Sequence, residues 1–453
     1  MSNALYKILD TDASSYAYDT MTNRIIRIKG CFPRGVSEDQ KHAMILEYLT
    51  RQNLLSKNNL KEVVWQTPFA EYKQYIDHNI SDLVLETEQN CNLRCDYCVY
   101  SGNYAGTRTH RTVAMTETIA QKAIEMFFRH NRESPKAKIS FYGGEPLLRF
   151  AFVKDCIAYA KQLFAGKPLS FDLSANGTLM TQEVMDWAQS EPSLTITVTL
   201  NGYEHDRYRH FANGEGSLGI ILGRLAYAKK QFPHLLRERI RFLCNTASFQ
   251  ELLSARQFYL DHDLPLPMPT SIIDRGGNET IQALFRQDAQ AEKAAYNALK
   301  ALYTTTSDAF CHAYFSPQWI PIHRRNMAPF TDKAFIERTC MPFRVKLFVT
   351  APGELHMCER VTPMYDLGHV NTGFDYDNIL KMLNEYQAVS AKACIHCWAQ
   401  RLCSRCFAGM VFAGKWDNIP DDLCEKMRLS VLHDLKLYCE ICEKNPELLQ
   451  HSV

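Results

Sequence analysis

The chain has 453 residues, of which 46% are hydrophobic and 22% are charged, and its formal net charge is +1. This length suffices for two or three domains with hydrophobic cores. The near-neutral charge gives no electrostatic reason to expect nucleic acid or a membrane as a partner. The N-terminus lacks the layout of a secretory signal, and no apolar run reaches the roughly 18 residues of a transmembrane helix. Sixteen cysteines without an export signal therefore favour metal ligation in a reducing cytoplasm.

The first 80 residues differ in character from the rest of the chain. Residues Ser15–Ile28 predict two strands around a polar turn. Residues Gln40–Leu55 predict a helix. We expect residues 1–80 to form a small α+β extension.

From residue 81 onward, strand-like and helix-like segments alternate. The strand-like segments are apolar, as in strands covered on both faces: Leu83–Thr87, Lys138–Tyr142, Leu169–Leu173, Leu194–Leu200, Ile240–Asn245 and Thr270–Ile273. The helix-like segments between them are Met115–His130 with a Thr116 cap, Phe150–Phe164, a helix through Gln189 capped by Thr181, and Leu218–Phe232. Six βα units predict an α/β fold, a partial (β/α)6 TIM-like barrel over residues 81–276. Its chemistry is expected at the carboxyl ends of the strands.

Three cysteines follow the first predicted barrel strand in the pattern C-x3-C-x2-C: Cys91, Cys95 and Cys98, with Tyr97 before the last. Structural zinc sites usually draw on two separated cysteine pairs, and a [4Fe–4S] cluster normally takes four thiolates. Three ligands on one short loop can hold three irons and leave the fourth open. A zinc knuckle or a set of redox-sensitive thiols is the alternative interpretation of the triplet alone.

This triplet resembles the signature of the radical S-adenosylmethionine (radical SAM) enzymes. The resemblance implies that Cys91, Cys95 and Cys98 hold a [4Fe–4S] cluster whose open iron chelates S-adenosylmethionine. Reductive cleavage would then release a 5′-deoxyadenosyl radical. On the same resemblance, Tyr97 belongs to the cofactor-binding residues.

A Gly-Gly-Glu-Pro segment follows the second predicted strand, with Gly143, Gly144 and Glu145. Glycines let the backbone approach a ligand closely, and the carboxylate can accept hydrogen bonds from an ammonium group. In the radical SAM family this element binds the amino group of S-adenosylmethionine. Ser174 and Asn176, at the end of the third strand, match the family's ribose and carboxylate contacts, although such residues are usually turn formers.

The segment from Asn201 to Arg209 resembles the SxDGxxxxHDxxR element of peptide- and sulfatase-modifying radical SAM enzymes. The resemblance implies that Arg209 clamps the carboxylate of S-adenosylmethionine, which suits a planar bidentate donor. The chain departs from the family at Asn201, where Asp is usual, and at Tyr203, where Pro is usual. A substrate contact made by that Asp does not carry over. A surface charge on a helix is the alternative interpretation of Arg209.

A second cysteine array lies in the C-terminal 115 residues. It comprises Cys340, Cys358, Cys394, Cys397, Cys403, Cys406 and Cys424. The spacing resembles the SPASM domain, except that two residues rather than three separate Cys403 from Cys406. A treble-clef or RING-like zinc module is the alternative, but zinc cannot relay the electrons that radical chemistry needs.

The SPASM resemblance implies two auxiliary [4Fe–4S] clusters with interleaved ligands. The outer cluster would take Cys394, Cys397, Cys403 and Cys424, and the inner cluster Cys340, Cys358 and Cys406. Seven thiolates cannot close two clusters that need eight. Either Cys311, Cys439 or Cys442 supplies the eighth ligand, or the inner cluster keeps an open iron. The remaining cysteines, Cys31, Cys156 and Cys244, are expected in the core.

Glu359 directly follows Cys358, where sulfatase maturases have an Asp that acts as a base. We expect it to be the catalytic general base, with a plain surface carboxylate as the alternative. The expected divisions are a mostly helical connector over 277–339, the SPASM domain over 340–425, and a C-terminal helix in 426–453, predicted at Met427–Cys442.

The resemblance covers roughly residues 81–425 and predicts hydrogen abstraction from a ribosomally synthesised precursor peptide, followed by a thioether or carbon–carbon crosslink. The long segment before the barrel and the sequence Cys98–Tyr104 favour a precursor peptide over a sulfatase. Residues 1–80 would then recognise the precursor, with an edge strand available for β-augmentation. Flavodoxin or ferredoxin is the expected reducing partner.

Three alternatives remain at this point. The first is formylglycine formation from Cys or Ser on a sulfatase. The second is oxidation of a small peptide-derived cofactor precursor. The third is a non-catalytic iron–sulfur or zinc protein.

Overall fold

We describe the protein from a computed structural model that covers residues 4–28, 36–104, 108–271, 278–306, 308–360, 365–407 and 419–452. Cys31 lies outside these ranges, so its predicted core position is not tested. The other two cysteines expected in the core, Cys156 and Cys244, are buried.

The N-terminal unit is a three-stranded antiparallel sheet, covered on one face by a helix. Its elements are β1 (Tyr6–Asp10), β2 (Ser15–Asp19), β3 (Arg24–Ile28) and α1 (Glu38–Arg51). The two strands predicted in Ser15–Ile28 are confirmed, whereas β1 was not predicted. A capping box between Ser37 and Gln40 makes α1 begin two residues before the predicted start. The predicted end at Leu55 is wrong, because the helix ends at Arg51.

The barrel strands all pair in parallel, in chain order. The elements are β4 (Glu62–Trp65) and α2 (Phe69–His78) before the barrel, then β5 (Asp82–Glu88), α3 (Glu117–His130), β6 (Ala137–Gly143), α4 (Phe150–Leu163), β7 (Leu169–Ala175), α5 (Gln182–Ser190), β8 (Leu194–Thr199), α6 (His205–Tyr208), α7 (Leu218–Gln231), α8 (Pro233–Glu238), β9 (Ile240–Thr246), α9 (Phe249–Asp261) and β10 (Met268–Ser271). The sixth strand begins before the predicted Thr270, and residues 272–273 lie outside the described ranges. The predicted partial barrel is otherwise confirmed.

Burial alternates along most barrel strands, so the expectation that both faces are covered holds only for β5. In β8, Ile196 and Val198 are fully buried in the main hydrophobic core. Thr197 and Thr199 point to the other face and line a cavity. The alternation therefore separates the packed outer face of the sheet from an inner face that is available to ligands.

The connector and the C-terminal unit add strands to the rest of the molecule. The elements are α10 (Glu279–Leu284), α11 (Ala289–Thr306), α12 (Ala309–His323), β11 (Lys333–Ile336), β12 (Lys346–Val349), β13 (Leu355–His356), β14 (Gly368–His369), β15 (Gly373–Phe374), α13 (Tyr376–Cys394) and α14 (Asp421–Lys444). β11 pairs in parallel with β4. β12 pairs in parallel with β5, and β13 continues the sheet, so the barrel sheet has eight strands rather than six.

α14 is longer than predicted and crosses the expected boundary after residue 425. It contains Cys424 in its first turn and Cys439 near its end. Val431 and Leu435 of this helix pack in one hydrophobic cluster with Tyr18 of β2. The N-terminal sheet therefore lies between α1 and α14.

Candidate active site at the carboxyl ends of the barrel strands

The loop with Cys91, Cys95 and Cys98 follows β5 and is fixed by distant backbone groups. The amide of Arg94 donates to the carbonyl of His210 at 2.7 Å, and the amide of Asp96 donates to the carbonyl of Tyr208 at 3.0 Å. The side chains of Cys91, Cys95 and Cys98 pack together in one small cluster with Leu93 and Phe211. The structure therefore brings the three predicted ligands together.

The sulfur atoms of this loop have the surroundings of metal ligands. The amide of Leu93 donates to Cys91 Sγ at 3.3 Å, and the amide of Tyr100 donates to Cys98 Sγ at 3.4 Å. Burial, followed by the nearby Glu145 carboxylate, raises the pKa of the Cys91 thiol to about 12. Without a cation this side chain is therefore a neutral thiol, and a bound metal would be needed to keep the three cysteines as thiolates. The donor set and its amide hydrogen bonds fit an iron–sulfur cluster.

The glycine pair lies directly against the cysteine loop. The amide of Gly144 donates to the carbonyl of Glu88 at 2.6 Å. Added Cβ atoms at Gly143 and Gly144 would overlap the backbone of Glu88 and of Asn90, respectively. Both glycines also line the cavity described below. They are therefore needed for the contact between two loops as well as for the expected approach of a ligand.

Glu145 joins this segment to the end of β7. Its side chain is fully buried and accepts hydrogen bonds from the amides of Leu147 at 3.0 Å and Asn176 at 2.7 Å. Burial raises the pKa of Glu145 to about 7. The side-chain amide of Asn176 donates to Asn92 Oδ1 at 2.7 Å, which links β7 to the cysteine loop.

Arg209 and Tyr97 meet in the cavity wall. Arg209 is 6% exposed, and its Nη1 donates to the Tyr97 hydroxyl at 3.2 Å. Burial alone would lower the pKa of Arg209, but Cys95 and Tyr97 raise it above its usual value. Its Nε is buried without a hydrogen-bond partner. A buried unpaired N–H is costly, and an anionic ligand group would satisfy it.

Asn201, which stands where the family usually has Asp, also contacts Tyr97. Its Nδ2 donates to the Tyr97 hydroxyl at 2.9 Å, while its Oδ1 accepts from the amide of Asn245 at 3.0 Å. The Asn245 side chain donates to the same hydroxyl at 3.4 Å. The hydroxyl is therefore surrounded by donors. No local pattern marks Asn245, because its partners Tyr97 and Asn201 lie in loops that are distant from it in the chain.

One cavity of about 230 Å³ brings most of these residues together. The residues shared with the sequence prediction are Cys91, Cys95, Tyr97, Cys98, Gly143, Gly144, Ser174, Asn176, Arg209 and Glu359. Glu145 is absent from the lining in the described part of the chain, because its carboxylate is turned toward β7. The C-terminal unit thus contributes an acidic residue to a cavity formed by the barrel.

Glu359 is held by residues that sequence reasoning missed. Both of its carboxylate oxygens accept from Lys346 Nζ at 3.0 Å, and the Cys358 thiol donates to it at 3.4 Å. Burial alone would raise the pKa of Glu359, but Lys346 lowers it below its usual value. The guanidinium of Arg108 donates to the Glu359 carbonyl and lies 3.7 Å from Glu86 in β5. Sequence spacing gives no signal for such pairs.

The C-terminal cysteines fall into two groups. Cys394, Cys397, Cys403 and Cys424 line one pocket with Arg405. Burial raises the pKa of Cys340, and the neighbouring Cys406 raises it further. Glu359 and Lys346 act electrostatically on both Cys340 and Cys358. The structure therefore places the four outer cysteines around one pocket and Cys340 near Cys406.

Cys311 and Cys439, two of the candidates for an eighth ligand, have other side chains around them. Burial raises the pKa of Cys311 to about 12, and Asp308 contributes further. The groups that act on Cys439 are Cys442, two glutamates and an arginine. Cys311 packs in the main hydrophobic core, and Cys439 packs in the cluster that contains Tyr16 and Tyr18.

Residues 86–238 match the radical SAM superfamily. The chain contains a radical SAM domain. This domain implies S-adenosylmethionine and one [4Fe–4S] cluster as cofactors.

Individual relatives of the radical SAM domain are distant. The cysteine-type anaerobic sulfatase-maturating enzyme of Clostridium novyi is 29% identical over 155 residues, which cover 32% of this chain and 39% of the relative. The chain therefore spans well under two thirds of that relative's length.

No helix in the described ranges is long and apolar enough to cross a membrane.

Two solved structures show the same fold around the radical SAM domain. AnSMEcpe with bound AdoMet has a TM-score of 0.57 at 17% identity, covering 83% of this chain and 95% of that chain. Streptococcus suis SuiB bound to the precursor peptide SuiA has a TM-score of 0.52 at 13% identity, covering 94% and 100%. At these identities the similarity concerns the fold alone.

Proposed function

We propose that this protein modifies a ribosomally synthesised precursor peptide by hydrogen abstraction and forms a thioether or carbon–carbon crosslink. The observation that supports this most is the shared cavity. The three cysteines of the radical SAM domain and the C-terminal Glu359 line the same space. A substrate in that space would meet the site of radical formation and an acidic side chain together.

In this proposal, Cys91, Cys95 and Cys98 hold the [4Fe–4S] cluster. When bound, the cluster supplies the electron that cleaves S-adenosylmethionine to a 5′-deoxyadenosyl radical. The unpaired Nε of Arg209 would bind the carboxylate of S-adenosylmethionine. The other cofactor-binding residues would be Tyr97, Gly143, Gly144, Glu145, Ser174 and Asn176, and flavodoxin or ferredoxin would reduce the enzyme.

Glu359 would accept the proton that the substrate loses after hydrogen abstraction. Lys346 keeps the carboxylate ionised and therefore free of a proton. The same ion pair holds the carboxylate in one position at the cavity wall. A base must be both deprotonated and within reach of its proton.

Two auxiliary [4Fe–4S] clusters would occupy the C-terminal unit. Their ligands would be the two groups of cysteines described above. This assignment is supported by the four outer cysteines, which line one pocket. The inner cluster would then have three cysteine ligands and an open iron. We expect a substrate thiolate or backbone group to bind there.

Residues 1–80 would recognise the precursor. β1 and β3 form the two edges of the N-terminal sheet, and in the described ranges each pairs only with β2. An extended peptide can add to such an edge as another strand. The solved SuiB structure, which contains its precursor peptide, covers 94% of this chain and so supports the proposal.

Formylglycine formation on a sulfatase is the second candidate. It is favoured by the Clostridium novyi relative, whose name describes maturation of sulfatases. It would use the same cavity and Glu359, but it would not require recognition of a precursor by residues 1–80.

The test is anaerobic reconstitution with iron, sulfide, dithionite and S-adenosylmethionine. We expect 5′-deoxyadenosine even without peptide, and mass loss from a precursor peptide but not from a sulfatase peptide. The variant Glu359→Gln should cleave S-adenosylmethionine normally and form at least tenfold less product. Purification with zinc in place of iron and sulfide would contradict the proposal. Conversion of the sulfatase peptide alone would establish the second candidate.

A further inference from the structure

A buried arginine lies among the four outer cysteines. Arg405 is 8% exposed and lines the pocket that contains Cys394, Cys397, Cys403 and Cys424. Its Nη1 donates to Cys394 Sγ at 2.8 Å, and its Nη2 donates to Ser390 Oγ at 3.2 Å. Its polar neighbours are therefore thiols and hydroxyl groups, whereas most buried arginines pair with carboxylates.

The position of Arg405 is fixed through its backbone. Its carbonyl accepts a hydrogen bond from Thr339 Oγ1 at 2.6 Å, and the Tyr386 hydroxyl donates to the same Oγ1 at 3.3 Å. Thr339 directly precedes Cys340, one of the inner cysteines. The arginine side chain therefore points among the outer cysteines. Its backbone carbonyl is hydrogen-bonded to the residue that precedes the inner Cys340.

The two cysteine groups differ in their charged neighbours. The outer pocket is lined by three arginines, Arg338, Arg405 and Arg428, and by one glutamate, Glu337. The inner group instead lies beside the ion pair of Lys346 and Glu359, whose charges cancel. The outer site therefore has an excess of positive charge.

We propose that Arg405 raises the reduction potential of the outer auxiliary cluster. The inference rests on the proposed function, because it requires that cluster. Reduction adds a negative charge to a cluster that is already anionic. A buried cation that donates a hydrogen bond to a ligand sulfur stabilises the reduced form more than the oxidised form.

The experiment compares the full chain with Arg405→Gln, Arg405→Lys and Arg401→Lys after anaerobic reconstitution. Iron and sulfide per chain are measured first, and the clusters are then titrated against potential by electron paramagnetic resonance. Arg405→Gln should lower the reduction potential of one auxiliary cluster by at least about 59 mV. For a one-electron couple this shift corresponds to a tenfold fall in the ratio of reduced to oxidised cluster. Arg405→Lys should keep the charge and shift the potential less.

Arg401 is the matched control, because it is also buried but donates to the carbonyls of Ala328 and Asn326. Arg401→Lys should leave every potential unchanged even where it lowers stability. Arg405→Gln with full iron content and unchanged potentials would overturn the inference. Loss of the cluster in both Arg405 variants, but not in Arg401→Lys, would also overturn it, since Arg405 would then act in assembly. Absence of auxiliary iron from the unsubstituted chain would instead contradict the proposed function.

Discussion

The cysteine loop of the radical SAM domain and the C-terminal cysteine array are held in place by different kinds of contact. Amides of the first loop bond to the carbonyls of His210 and Tyr208, more than a hundred residues away. In the array, the amides of Cys397, Cys403 and Cys424 bond to carbonyls three or four residues earlier. Backbone amides therefore connect the first site to the barrel before any metal binds. The array is connected to distant segments by side chains such as Thr339 and Arg338, and a bound metal would strengthen that connection.

The largest expected effect comes from removing one ligand at each site. Cys95→Ala should abolish cleavage of S-adenosylmethionine, because a cluster with two cysteine ligands does not bind productively. Cys397→Ala should remove one auxiliary cluster and the product, yet leave some uncoupled cleavage. Iron content and 5′-deoxyadenosine are the measurements. Equal loss of cleavage in the two variants would remove the distinction between the sites.

Removal of iron by a chelator should affect the two regions unequally. Amides in residues 394–407 should exchange rapidly with deuterium, while amides of β6 and β7 remain protected by the core. Hydrogen exchange followed by mass spectrometry measures both regions in one sample. Protection of the array in the iron-free protein would show that protein contacts alone hold it.

Gly144→Ala tests the barrel side of the comparison. The added Cβ would overlap the carbonyl of Asn90, so we expect the free energy of unfolding to fall by about 3 kcal/mol. Gly223→Ala is the control, because that glycine lies in α7 with no atom near an added Cβ. It should raise stability by about 1 kcal/mol through helix propensity. Denaturant unfolding measures both, and similar effects would contradict the role of close loop packing.

Asn201→Asp should have the smallest effect. An Asp keeps the acceptor for the Asn245 amide, and the Tyr97 hydroxyl can donate to it instead of accepting. We expect the free energy of unfolding to change by less than about 1 kcal/mol. Asn201→Ala removes both hydrogen bonds and should cost more. A thermal melt distinguishes the variants, and a large loss with Asp would show that donation to Tyr97 is essential.

The sequence predicted the barrel well because its strands have apolar runs of the right length and its helices have recognisable caps. Thr116 and Thr181 both cap helices as expected. Contacts between distant segments were not predictable. The pairing of β12 with β5 joins two segments that are far apart in the chain. A strand as short as β12 also has too few residues to show a clear hydrophobic periodicity.

The same limit applies to the candidate site. Spacing identified the cysteines and Arg209, because a loop supplies several of them at once. Lys346 and Arg108 reach Glu359 only after folding, so no local pattern marks them. Arg405 had a signal, since it stands between two cysteines, but spacing alone does not tell whether it points toward them.

The parallel pairing of Lys346–Val349 with Asp82–Leu85 has a consequence for synthesis on the ribosome. The first barrel strand is synthesised well before its outer neighbour, because the other barrel strands lie between the two in the chain. Until then, that strand keeps an open edge, and nascent chains present it to chaperones and to one another. The cysteine loop that follows β5 is therefore complete, in chain order, before the strand that pairs beside β5.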